Sequence, residues 1–179
     1  DTSVRMTVST GETVEFPLYL RGPRWCEGFA VRVNGEPAEA APLPGQYVGI
    51  ERAWADGDTL EIEMPVALSI RRWKESGAVT VDRGPLSYSL RIGEEWVKRG
   101  TGTDKWPDWE VYPATAWNYG LLLDEQHPEE SVEVARRQPV ADQPWTLENA
   151  PIVLRAKGRR IPNWRLIDET VTDLQPGPI

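Results

Sequence analysis

The sequence predicts an all-β chain, an antiparallel β-sandwich or jelly-roll-like architecture of two packed β subdomains with little or no helix. Three observations predict it. Apolar residues alternate with polar ones over short runs, the period of a strand that buries one face. Gly, Asn, Asp and Pro return about every ten residues, the turn spacing of sandwich strands. No window of about 12 residues carries the 3.6-residue period of an amphipathic helix.

Val4, Met6 and Val8 alternate with Arg5, Thr7 and Ser9, and Val14, Phe16, Leu18 and Leu20 resume the period after Ser9-Thr10-Gly11-Glu12. A hairpin between these two runs is the expectation. Pro17 has no N–H to give to a ladder, which places the second run at an edge or a bulge. Phe29, Val31 and Val33 lead into Asn34-Gly35, a pair that tolerates the positive φ of a type I′ hairpin turn. Tyr47 to Ile50 forms a short strand ahead of Trp54, and Ala55-Asp56-Gly57-Asp58 reverses the chain. Leu60, Ile62 and Met64 then alternate with Glu61 and Glu63, and Ala67 to Lys74 continues as a strand with Ile70 and Trp73.

The stretch Val79 to Leu90 is the hinge of the chain. Val79 and Val81 alternate on one side of Gly84-Pro85, and Leu86, Tyr88 and Leu90 on the other, so two strands meet at a sharp break. The division predicted from it is a β-sandwich domain over 1–88 and a second β subdomain over 89–179. A strand is expected over Leu86 to Ile92, and an irregular segment from Gly93 to Tyr112. Short strands follow within Ala116 to Asp124, Val132 to Ala135, Trp145 to Leu147, Ile152 to Lys157 and Trp164 to Ile167, and Asp168 to Ile179 reads as a surface tail.

Composition narrows the function. The 179 residues carry a net charge of −8, with no basic cluster longer than Arg136-Arg137 or Arg159-Arg160, which argues against nucleic acid as a partner. No run approaches the roughly 20 apolar residues of a membrane helix. No signal region opens the chain, which reads as beginning inside a domain; compartment stays undetermined. Cys26 is the only cysteine and His127 the only histidine, which leaves no intrachain disulfide, no thiolate metal cluster and no pair of imidazoles. No cofactor is expected. His127, between Gln126 and Pro128-Glu129, is read as a solvated loop residue rather than a base, and Cys26 as a buried or half-buried thiol.

Hydrolysis of a glycosidic bond would need two carboxyls about 5 to 9.5 Å apart, one of them raised in pKa by a dry setting. Glu94-Glu95 and Glu129-Glu130 fall in polar segments. Asp104, Asp108 and Glu110 lie among tryptophans, yet an Asp beside Trp in a loop is more often a turn residue, so no catalytic residue is assigned. The nine tryptophans are the strongest compositional signal. Burying one indole, around 200 Å² at about 25 cal/mol/Å², is worth at most roughly 5 kcal/mol, and packing is the expectation for Trp25, Trp54, Trp73, Trp117 and Trp164. Trp106 and Trp109, with Asp108 between them, are the candidate carbohydrate-binding residues, because an exposed indole can stack on a sugar ring. Trp96 is left open.

Phe16-Pro17-Leu18-Tyr19-Leu20-Arg21 with Trp25, Val31 to Glu36, Gly45-Gln46-Tyr47-Val48 with Arg52 and Trp54, and Gly57-Asp58 through Met64-Pro65 together resemble a known β-domain. It is the one that follows the catalytic barrel in β-L-arabinofuranosidase-type glycoside hydrolases (family 127). Val81 to Tyr88 is similar to the block that closes that domain, and Trp117 to Leu121, Pro151 to Trp164 and Leu174-Gln175-Pro176 resemble the family's last segment. In the family, a helical (α/α)6 barrel carries a zinc-bound cysteine cluster with the nucleophile and an acid/base glutamate; none of these maps onto this chain. What the resemblance implies is a non-catalytic portion of a glycoside hydrolase that braces a barrel, shapes an active-site rim or forms a homo-oligomer interface. Its partners would be that barrel and arabinose-containing glycans. Two other readings stand beside it: a stand-alone carbohydrate-binding module, and a structural or adhesive sandwich without ligand.

Overall fold

The computed structural model describes residues 2–38, 42–167 and 170–172. Its strands are β1 (Ser3–Thr7), β2 (Val14–Arg21), β3 (Ala30–Val33), β4 (Glu36–Pro37), β5 (Tyr47–Trp54), β6 (Thr59–Glu63), β7 (Leu68–Arg72), β8 (Val79–Arg83) and β9 (Leu86–Tyr88). After these come β10 (Glu94–Gly102), β11 (Pro107–Pro113), β12 (Tyr119–Leu121), one helical turn α1 (Pro128–Ser131), β13 (Val132–Arg136), β14 (Ile152–Ala156), β15 (Gly158–Arg160), β16 (Leu166–Ile167) and β17 (Thr170–Val171). The all-β expectation is met. Backbone contacts divide the chain into two compact units, one of Asp1–Ser69 with Asp82–Leu86, the other of Ile70–Val81 with Ser87–Ile179.

The first unit is a small sandwich. A four-stranded sheet runs β1-β6-β3-β4, and β2 pairs with β5 along its whole length from Val14↔Trp54 to Arg21↔Tyr47. The inward residues Leu20 and Val48 from the β2–β5 pair meet Val31, Leu60 and Ile62 from the other sheet, with Cys26, Phe29 and Trp54 completing the buried cluster. Alternation therefore sends these side chains inward, while Val4, Val14 and Phe16 at the strand ends stay exposed. Trp54 is fully buried, its indole N–H donating to the Phe16 carbonyl at 3.0 Å, so the polar end of the largest core side chain is satisfied.

The hairpin expected between the first two runs does not form. β1 pairs with β6, from Ser3↔Glu63 to Thr7↔Thr59, and β2 pairs with β5. The turn after Ser9 carries the chain from one sheet to the other, an arrangement that buries both apolar faces where a flat two-stranded hairpin would expose one. Pro17 sits in the two-stranded β2–β5 sheet opposite Glu51, as its missing N–H requires. Asn34 and Gly35 hold φ of 53° and 86° and join Val33 to Glu36. The Asn34 side chain also accepts the Thr59 N–H at 2.8 Å and donates to Asp58 Oδ1 at 2.7 Å. At Gly84, φ is +57°, which suits the first central position of a type II′ turn with Pro85 second. A Cβ there would come within 2.8 Å of Val66 Cγ1, so the turn needs glycine twice over.

The second unit is assembled from hairpins and short pairs. The segment from Gly93 to Tyr112 is a correction: it is a long antiparallel hairpin, β10 on β11, with Glu94↔Pro113, Trp96↔Val111 and Lys98↔Trp109 in register. The period was absent because both faces of this hairpin are largely exposed, so selection for apolar/polar alternation is lost while Trp, Val, Thr and Tyr still favour strand. Gly102, at φ +85°, shifts the register before the turn; a Cβ there would meet the Trp106 carbonyl at 2.7 Å. β13 pairs with β14 and β12 with β15. The strand expected from Leu86 to Ile92 stops at Tyr88, and Trp145 to Leu147 lies in no strand. Instead, Arg136 pairs with Ile152 and the Arg137 N–H reaches the Pro151 carbonyl at 2.8 Å, so 137–151 is a loop closed at its base that exposes Val140, Trp145 and Leu147. Leu174-Gln175-Pro176 lies outside the described residues.

Candidate functional site

In the second unit, Asn118 is the buried polar residue around which segments distant in sequence converge. Its amide nitrogen donates to the Ile161 and Trp164 carbonyls at 2.9 and 3.0 Å, and its oxygen accepts from Arg160 Nε at 3.3 Å. Satisfied on both ends, it holds Trp117 against Trp164, their rings edge to face with centroids 5.0 Å apart. The Trp164 indole N–H donates to the Thr172 carbonyl at 2.9 Å, which fixes that ring as well.

Beside this cluster opens a cleft of about 730 Å³. Its walls are mostly apolar, from Ile92, Val111, Tyr112 and Trp117, with Leu166 and Val171 of the β16–β17 pair on one side. Glu94 and Glu110 are among its lining residues, with side chains on opposite faces of the β10–β11 hairpin. Glu94 Oε2 accepts the Trp96 indole N–H at 2.9 Å. Glu110 pairs with Arg99 and accepts the Tyr112 hydroxyl, and Arg99 also donates to that hydroxyl oxygen at 3.2 Å. The Arg99 guanidinium, then the Tyr112 hydroxyl, hold the Glu110 carboxyl below the usual glutamate range.

The residues singled out in the sequence fall elsewhere. Trp106 stands in the β10–β11 turn, 74% exposed, with Lys105 Nζ 6.0 Å from its ring. Trp109, expected in a loop, lies in β11, where it makes an edge contact with Trp96 at 6.1 Å, a diagonal cross-strand pair. Strand alternation turns Asp108 to the face opposite Trp109. Trp73, expected in a core, is 52% exposed; its indole donates to Thr80 Oγ1 at 2.8 Å and Arg71 lies over its ring at 4.8 Å. The ring is thus held by polar and cation–π contacts in place of burial.

Of the titratable groups, Cys26 is fully buried with its thiol directed at the Pro65 carbonyl at 3.6 Å, and desolvation pushes its pKa up, the reverse of an activated nucleophile. His127 is exposed beside Glu129 at the start of α1. Asp124 accepts the N–H groups of His127 and Gln126, which lower its pKa, and Asp58 is lowered by the Ala55 N–H, then by Asn34 and Arg52. A proton-donating acid of a glycosidase needs a shift the other way. Among the described residues, no three His, Cys, Asp or Glu side chains gather as metal ligands.

Ile92, Glu94, Tyr112 and Trp117 were not marked as site residues in the sequence, because the cleft takes them from segments that only the tertiary fold brings together. One signal was there: Gly102 and the Thr103-Asp104 pair are turn residues between two stretches rich in strand formers, and a hairpin over them would have set Glu94 beside Pro113.

No curated protein sequence matches the chain. Among the solved structures that resemble it is one described as a glycoside hydrolase, 22% identical, covering 62% of this chain and 22% of its own, with a TM-score of 0.45. Another is Ara127N-Se, a GH127 β-L-arabinofuranosidase from Geobacillus stearothermophilus T6, 21% identical, covering 63% of this chain and 25% of its own, with a TM-score of 0.44. The chain thus spans a quarter or less of the length of these structures. Residues 1–66 match the family model described as the β-L-arabinofuranosidase GH127 middle domain, the family whose β-domain this sequence resembles.

Proposed function

We propose that this chain is a non-catalytic β region of a GH127-like glycoside hydrolase, and that its work is to brace the catalytic barrel of that enzyme. The observation that carries the reading is the match of residues 1–66 to the family's middle domain, over the segment that builds the sandwich core. A core containing fully buried Trp54 and Leu60 makes a stiff support. The chemistry of the described residues agrees: Glu110, Asp124 and Asp58 are all held ionised by their partners, and the one thiol is kept protonated by burial. A two-carboxyl mechanism needs one group that keeps its proton near neutrality.

The test is hydrolysis of nitrophenyl arabinofuranosides, arabinan and arabinogalactan by the purified chain. No turnover above a heat-inactivated control is expected. Turnover that disappears in Glu110→Gln or Cys26→Ser would place chemistry in this chain and end the reading. For the bracing role, Trp54→Ala in a longer chain that includes the barrel should lower the temperature at which activity is lost while leaving KM unchanged. An unchanged inactivation temperature would remove the bracing role.

A further inference from the structure

We infer that the cleft beside the Trp117–Trp164 pair is a binding site for one sugar residue of a neutral glycan, distinct from any platform made by Trp106 and Trp109. The inference rests on the glycoside hydrolase reading only for the class of polymer the chain meets. Its geometry is independent of that reading.

Three features point to this ligand class. The volume of about 730 Å³ falls within the roughly 300–1,000 Å³ of small-molecule sites and leaves room for a single ring with its substituents. The walls are apolar and partly aromatic, and a sugar ring carries C–H groups that rest on the electron-rich face of an indole or phenol. Trp117 is fixed by its contact with Trp164, and Tyr112 by its hydroxyl's bonds to Glu110 and Arg99, so neither ring has to be ordered on binding. The third feature is the state of the Glu110 carboxylate. Glu110 is ionised and therefore purely an acceptor, with lone pairs remaining beyond those used by Arg99 and Tyr112. An acceptor of this kind matches hydroxyl donors.

A cation would be the other natural guest of aromatic rings and carboxylates. The charge arrangement weighs against it. Arg99 already neutralises Glu110, so a second cation would enter beside a guanidinium and meet its repulsion. A neutral ligand that donates hydrogen bonds meets no such cost.

The experiment is a titration of the whole chain with methyl α-L-arabinofuranoside, arabinotriose and xylotriose, and separately with spermidine, followed by tryptophan fluorescence and amide NMR shifts. Saturable shifts with at least one saccharide are expected, confined to residues 92–94, 110–113 and 117. Glu110→Ala should weaken that affinity about tenfold and Tyr112→Phe about threefold, the second keeping the ring and the fold while removing one hydroxyl. Trp106→Ala should leave it unchanged. No saturable response to any saccharide would overturn the inference. So would spermidine binding that the saccharides do not displace, or saccharide binding lost in Trp106→Ala and Trp109→Ala but retained in Glu110→Ala. Turnover of a nitrophenyl arabinofuranoside would sink the non-catalytic reading without touching this result, whereas silence in the titration without turnover would sink only the cleft.

Discussion

The two units of this chain are held together by different physics. In the first, two sheets close over a continuous apolar cluster in which Cys26, Trp54 and Leu60 are wholly out of water. In the second, Val81, Pro128 and Val132 are the buried apolar side chains among those described, and the work falls to hairpin ladders, edge-on tryptophans and the satisfied amide of Asn118. Burial is additive over area, whereas a polar junction depends on every partner being in place. The second unit leaves aromatic surface at an open cleft.

Substitutions can break or sharpen this contrast, and the largest effect belongs to the apolar core. Trp54→Ala removes a fully buried ring and its hydrogen bond to Phe16, at a cost of about 3–5 kcal/mol. A urea titration followed by NMR should show resonances of 3–63 lost first; if resonances of 94–113 are lost at the same urea concentration, the units are not energetically distinct. Next comes Asn118→Ala, which leaves the Ile161 and Trp164 carbonyls without their donor, at about 1–3 kcal/mol. Hydrogen exchange should accelerate at 158–164 while Val31 and Leu60 remain protected. Equal acceleration in both units would contradict the division.

Smaller effects test the hairpin. Trp96→Ala removes the diagonal partner of Trp109 and should cost about 0.5–1.5 kcal/mol beyond the lost area, read as faster exchange along β10 and β11. Acidification should produce the smallest change. The folded state holds the Glu110 carboxyl below its ordinary value, so the stabilising contribution is complete above the unfolded glutamate pKa of about 4.3 and is lost as pH falls through the lower folded value. The Tyr112 signals should therefore shift at acidic pH in the native chain, and Glu110→Gln should abolish that titration. A shift that persists in the variant would assign it to another group.

The same contrast explains what could be read from the sequence. Val4 to Val8, Val14 to Leu20 and Leu60 to Met64 carry a strict alternation because water lies on one side of them and a core on the other, and all three are strands close to where that alternation puts them. Asn34-Gly35 and Gly84-Pro85 are legible because their backbone geometry admits few residues. Pairing was not legible: nothing local in Val4 to Val8 says that its neighbour is β6 and not β2. The β10–β11 hairpin was missed for the opposite reason to a buried strand, since two wet faces impose no period on its residues. The cleft was invisible because Val111, Tyr112 and Trp117 line it together only through that hairpin and the Asn118 junction.

The loop 137–151 has a consequence for how this chain can vary. Its two ends are tied by the Arg136↔Ile152 pair and the Arg137 to Pro151 hydrogen bond, and Val140, Trp145 and Leu147 stand exposed along it. Once a base is closed in this way, doubling the length of the excursion costs only about 0.6 kcal/mol of chain entropy. The β13–β14 ladder is therefore a port at which residues can be inserted, deleted or exchanged without disturbing the junction around Asn118. Length differences among relatives should collect there, and an affinity tag or a fluorescent peptide placed between Ala141 and Gln143 should leave both units intact.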